Sequence, residues 1–176
     1  MTSEERRRIA DCRIAVVGAT EFIDSIKVEL QQLGFESIQI ISPSDEETIR
    51  NIDVIAESVN EGSSCLSKDV IIPIILPFDF VNGAGAIVVM PEDERDMLCK
   101  PDLRQWAAEY MSGYCAFWNV EGCDWLHDAL PAIKENKTSE AAIKTAAYMC
   151  ARMAANIAVG RDVKRYPRFY LCRNLE

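Results

Sequence analysis

Arg13-Ile-Ala-Val-Val-Gly-Ala-Thr-Glu-Phe-Ile-Asp24 is the stretch from which the chain is best read. Arg13 to Val17 is a compact β-branched run that stops at Gly18. Phe22, Ile26, Leu30 and Leu33 then recur at helical spacing until Gly34 closes the segment. Strand, glycine turn and amphipathic helix in that order open an α/β fold with a parallel sheet.

Working outward, Thr2 with Glu5 three residues on forms a capping box, which predicts a short charged helix to about Ala10. Ser37 to Ile41 reads as a second strand and Ser42-Pro-Ser-Asp as a turn. Ser44 with Glu47 offers another capping box, for a helix through roughly Val59. Val70 to Leu76 is apolar without alternation, as in a strand covered on both faces. Ala86 to Met90 reads the same way. Pro101 suits the first turn of a helix to about Met111, and Tyr114-Cys-Ala-Phe-Trp118 has the composition of a strand. Thr138-Ser-Glu-Ala-Ala opens a long alanine-rich helix to about Val159, closed by Gly160, and Arg168 to Cys172 reads as a terminal edge strand. The expected fold is therefore α/β: one Rossmann-like domain over residues 1–176, a three-layer sandwich with a mainly parallel sheet and an antiparallel C-terminal edge strand.

A chain of 176 residues, 49% apolar and 27% charged, suits one globular domain. Its formal charge of −9 opposes general affinity for nucleic acid or an anionic membrane. The apolar stretch Val70 to Phe80 is short and broken by two prolines, and no signal-peptide core follows Met-Thr-Ser-Glu-Glu-Arg-Arg-Arg. A cytoplasmic protein is expected. The seven cysteines form an odd set without a Cys-x-x-Cys pair, which fits buried thiols in a reducing compartment.

Gly18, Ala19 and Thr20 occupy the place where a dinucleotide-binding fold puts its phosphate loop, and are the candidate cofactor residues. A working loop needs further glycines, whereas Glu21 and Asp24 follow and suit the helix dipole instead. Glu92, Asp93 and Asp96 could hold Mg²⁺ or serve as the acidic first turn of a helix. On a helix Cys123 and His127 share a face, so with Cys115 they raise a metal or thiol–imidazole reading beside that of a packed thiol. No further metal ligand with clear spacing accompanies them. No catalytic residue and no metal ligand is designated. Trp118 and Trp125, within an aromatic-rich middle section, are candidate interface residues of a homodimer or paired subunit. Arg161, Lys164, Arg165 and Arg168 are candidates for an anionic ligand, an acidic partner or the protein's own acidic face.

Arg13-Ile-Ala-Val-Val-Gly-Ala, the following helix, Leu33-Gly-Phe-Glu-Ser-Ile-Gln-Ile-Ile, and the late alanine-rich helix ending at Gly160 together resemble the ubiquitin-activating-enzyme-like group that includes ThiF, MoeB and HesA. The resemblance covers about half the chain. It implies ATP- and Mg²⁺-dependent adenylation of the C-terminus of a small carrier protein by a dimer. Gly18 matches the first loop glycine, but Thr20, Glu21 and Ile23 stand where that loop is glycine-rich. Ser42 stands where the ribose-binding acid is expected, and no Asn-x-x-Arg-Gln pattern lies near Arg50. The resemblance thus implies a shortened E1-like module that has lost the adenylation motifs, needs no cofactor and acts through protein contact. The rival expectation is a small enzyme that binds a nucleotide or other anionic ligand at the carboxyl ends of the strands near Gly18, Pro77 to Asn82 and Pro91 to Asp96.

Overall fold

A computed structural model describes residues 1–42, 46–66 and 69–174. Helix α1 (Ser3–Asp11) begins with the expected capping box: Thr2 Oγ1 accepts from the Glu5 amide at 3.1 Å, and the Glu5 carboxylate accepts from the Thr2 amide at 2.8 Å. Strand β1 (Arg13–Val17) leads through Gly18 into α2 (Thr20–Leu33), which ends on Gly34 in the left-handed region. Strand β2 (Ser37–Ile40), a 3-10 turn (Glu46–Asn51) and β3 (Val54–Glu57) follow. Next come β4 (Ile74–Asp79), β5 (Gly83–Val89) and a 3-10 turn (Asp96–Cys99). Three helices, α3 (Leu103–Phe117), α4 (Asp124–Lys134) and α5 (Glu140–Val159), precede the last strand, β6 (Tyr170–Arg173).

The six strands form one sheet in the order β2-β1-β3-β4-β5-β6. The pairs β1–β2, β1–β3 and β3–β4 are parallel, while β5 runs antiparallel to both β4 and β6. Pro77 lies past the last β3–β4 pairing, Ala56 with Ile75, where β4 retains only β5 as a neighbour and loses no bond to β3.

Alternation along β1 sends Ile14 and Val16 to one face of the sheet and Ala15 and Val17 to the other. The first face is covered by α1, α2 and α5. There Phe22, Ile26 and Leu30 meet Ala146, Ala147, Ala151 and Ala154, small side chains that let α5 lie close to both α2 and the sheet. The second face carries α3 and α4, whose Leu103, Ala107, Met111 and Leu126 pack on Ile55, Leu76 and Ile87. The result is an α/β three-layer sandwich of the Rossmann-like kind with an antiparallel C-terminal strand, as its sequence suggests.

Four local readings are corrected. The expected helix through Val59 is a 3-10 turn followed by β3. The run Val54-Ile-Ala pairs with β1 and β4 at its edges and is buried on both faces under the two helical layers, and a short fully buried strand has no alternation to distinguish it from a helix. The Ser44 capping box and the turn at Pro43 to Asp45 lie outside the described residues. Tyr114 to Trp118 is not a strand: α3 continues through Phe117, with Ala107, Ala108, Met111 and Cys115 buried at helical spacing and Tyr114, Phe117 and Trp118 turned outward. The strand expected from Val70 begins at Ile74, and the one expected from Ala86 begins at Gly83 and ends at Val89. No helix among the described residues is long and apolar enough to cross a membrane.

Candidate functional site

Strands β2 and β3 leave β1 on opposite sides, so the carboxyl ends of β1 and β3 form the switch point at which open α/β sheets place their ligands. A groove of about 940 Å³ lies there, with Gly18 and Ala19 on its wall. Gly18 has φ +141, and a Cβ at this position would run into the Ser58 hydroxyl and stand 2.8 Å from the Ser58 carbonyl oxygen. Its missing side chain therefore makes room for β3, a use unrelated to the approach of a phosphate. Ala19, the N-cap of α2, makes no side-chain capping bond, and Thr20, Glu21 and Asp24 all point to solvent.

Glu57, at the end of β3, is the charged centre of this groove and went unread in the sequence. It is 1% exposed, and it accepts hydrogen bonds from the Ser64 hydroxyl, the Cys65 amide (2.9 Å) and the Cys65 thiol (2.6 Å). The carboxylate thus folds the following loop back over the crevice. Burial first, and Glu57 beside it second, push the Cys65 thiol up to about 12, which makes Cys65 a proton donor to Glu57 and a poor nucleophile. Glu61 joins Glu57 on the lining, and no lysine, arginine or histidine among the described residues lines the groove. Such a wall repels a polyphosphate.

One strand further along, Asp79 closes β4. It is fully buried: Oδ1 accepts from the Val81 amide and Oδ2 from the Ser139 amide, both at 2.8 Å. Arg104, 1% exposed, donates through Nε to the Asp79 carbonyl and through Nη2 to the Lys137 carbonyl, both at 2.6 Å, with Nη2 at 3.7 Å from Asp79 Oδ1. Burial raises the Asp79 carboxyl, and the two amides and Arg104 work against that rise. The pair ties β4 to the starts of α3 and α5, a structural task. Its members are 25 residues apart, and nothing local in the sequence signals their meeting.

The acidic cluster after β5 is likewise engaged. Asp93 accepts from the Met90 amide at 2.8 Å and faces Arg165, whose Nη2 also approaches Glu92 Oε1 at 2.7 Å. Burial works to raise Asp93, but the Arg165 hydrogen bonds, the Met90 amide and the charges of Arg165 and Arg95 together outweigh it and hold the carboxyl below its ordinary value. No group of three or more His, Cys, Asp or Glu among the described residues is placed to hold a metal ion. Of the basic candidates, Arg161 pairs with Glu5 at 2.6 Å, Arg165 with Asp93 and Glu92, and Lys164 lies over the Tyr170 ring. Arg168 is exposed and has no ion pair among the described residues.

The two interface candidates separate. Trp125 is buried in the core, its ring edge against Gly83, where a Cβ would stand 2.6 Å from it. Trp118 is 63% exposed and packs edge-on against Phe117, itself 76% exposed, and at a tilt to Tyr114. Tyr114 continues into Phe169 and Tyr110, so a band of rings runs along α3 to its C-terminal end, finished by exposed Val120. Cys115, Cys123 and His127 line a second groove beside this band.

Fold and crevice together define an α/β protein of the Rossmann-like, open-sheet class. A comparison with protein-family models matches none of them, and a comparison with curated proteins gives no match.

Proposed function

We propose that this chain is a non-catalytic, E1-like Rossmann module that acts through protein contact, and that its contact is a second copy of itself. The observation that carries the reading is the exposed apolar band of three rings, Tyr114, Phe117 and Trp118, with Val120 beside them. Contiguous large apolar side chains at a surface mark interaction sites, and aromatic rings dominate the energy of such contacts. The band is charged differently at its two ends: Arg168 precedes Phe169 at one, and Glu121 follows Val120 at the other. A two-fold axis through the middle lays Arg168 of each copy toward Glu121 of the other, which makes the surface complementary to itself. The E1-like kinship is supported by the order strand, Gly18, helix, strand at the switch point. The loss of adenylation is supported by the Gly18–Ser58 packing and by the carboxylates where a triphosphate would lie.

Light scattering at tens of micromolar protein tests this. A dimer is expected for the native chain and a monomer for Trp118→Ala with Phe117→Ala. Arg168→Glu should weaken the dimer, and adding Glu121→Arg should restore it. A native chain that is monomeric across the concentration range, or an unchanged dimer in the double aromatic variant, would sink the reading.

A further inference from the structure

Helices α3 and α4 are joined by the short connection from Trp118 to Cys123. In it Asn119 and Gly122 take left-handed backbone, with φ of 50 and 79, and the Val120 amide donates to the Cys115 carbonyl at 2.9 Å. These reversals turn the chain back so that Cys123, the N-cap of α4, and Cys115, in the last turn of α3, open onto the same groove. Cys115 is buried and Cys123 is half-buried. Both line a solvent-open groove of about 850 Å³, which His127 lines as well.

The geometry points to a thiol–disulfide exchange site made of Cys115 and Cys123, with Cys123 as the attacking sulfur, Cys115 as the resolving sulfur, and a low-molecular-weight disulfide as the oxidant. In the first step the Cys123 thiolate attacks one sulfur of the disulfide RSSR. A Cys123–SR bond forms, the S–S bond of RSSR breaks, and the departing thiolate takes up the proton that Cys123 gave. In the second, the Cys115 thiolate attacks Cys123 Sγ, the Cys115–Cys123 bond forms, and a second RS⁻ leaves and takes the Cys115 proton. Two protein thiols and RSSR thus become one protein disulfide and two RSH.

The division of labour follows from access. Burial first, and the Cys123 thiol beside it second, push the Cys115 thiol up to about 12, so Cys115 does not attack first; capping Cys123 as the mixed disulfide removes the second of those causes and lets Cys115 ionise next to its target. The other thiols lack this arrangement: Cys12 and Cys150 are buried, Cys65 is bound to Glu57, and half-buried Cys172 donates to the Arg173 carbonyl at 3.4 Å. Cys99 is exposed and serves as an internal control.

The test is incubation of the native chain with oxidised glutathione, acid quenching and peptide mapping without reduction. A Cys115–Cys123 linked peptide within one chain is expected, with little glutathione retained on Cys123. In Cys115→Ala the adduct on Cys123 should accumulate about ten-fold or more over the native chain, because the fast intramolecular resolving step is gone. In Cys123→Ser, Cys115 should stay unmodified. Modification of Cys99 without a Cys115–Cys123 link, a link formed only between chains, or equal Cys123 adduct in the native chain and Cys115→Ala would each overturn the proposal.

Discussion

Gly18 and Ser58 are in such close approach that no side chain fits between the end of β1 and the end of β3: a Cβ on Gly18 meets both the hydroxyl and the carbonyl of Ser58. With φ +141, Gly18 also holds a backbone conformation that other residues resist. Gly18→Ala should therefore lower unfolding stability by about 2–4 kcal/mol, from backbone strain and displacement of β3 together. Urea denaturation measures it, and a loss under about 0.5 kcal/mol, the ordinary surface value, would contradict the close approach.

The carboxylates Glu57 and Glu61 on the groove wall, without a cation among the described residues, lead to a second expectation. Calorimetric titration with ATP, ADP or NAD, with or without Mg²⁺, should give no saturable heat. A saturable signal abolished by Gly18→Val would return the crevice to the nucleotide-binding reading.

Asp79 and Arg104 hold three elements at the carboxyl edge of β4. Asp79→Ala strips the buried guanidinium of its counter-charge and orphans the Val81 and Ser139 amides, so a loss of about 3–5 kcal/mol is expected. Adding Arg104→Met should recover part of that loss. If the second substitution only deepens the loss, the two residues are not coupled as the contact implies.

Against burial, Arg165 together with the Met90 amide and Arg95 holds the Asp93 carboxyl below its ordinary value in the folded chain. The resulting stabilisation is fully present above the unfolded carboxylate value, about 3.9, and is lost as pH falls through the lower folded value. Asp93→Asn should flatten that part of the acid limb of a stability–pH curve. Because the Arg165 side chain is 35% exposed, added salt should shrink the native chain's effect too. An acid limb identical in the native chain and Asp93→Asn would show the pair to be energetically idle.

The two tryptophans should part company in solution. Trp125→Ala empties a core position against Gly83 and is expected to cost about 3–5 kcal/mol. Trp118→Ala touches only the exposed end of α3 and should leave the unfolding free energy of the isolated chain within about 0.5 kcal/mol. Equal destabilisation by the two would place Trp118 in the core and remove the basis for the contact face.

Much of the fold is written in local signals. The Thr2–Glu5 box, the β1–Gly18–α2 unit, the left-handed glycines at 34 and 160 and the alanine spacing of α5 each depend on neighbours a few residues away. Helix period, caps and turns operate over that range, so the α/β class and its antiparallel last strand could be inferred from residue order. Of the candidate groups, the sequence placed Gly18 and Ala19 at the crevice, and the four-residue spacing put Cys123 and His127 on one face of a helix, although α4 itself goes unread there.

Only tertiary structure decided the rest, because the deciding forces act between residues far apart in the chain. Val54 to Glu57 is a strand because β1 and β4 pair with it on both edges, and Tyr114 to Phe117 is helical because Ala107 and Met111 anchor α3 on the sheet. Burial tells Trp125 from Trp118. The meetings of Glu57 with Cys65 and of Asp79 with Arg104 close over loops whose residues carry no periodic mark, and the left-handed turns at Asn119 and Gly122 carry Cys123 back to the groove that Cys115 lines. A sequence states which side chains are present; desolvation and chain reversal, both properties of the packed molecule, determine which of them face one another.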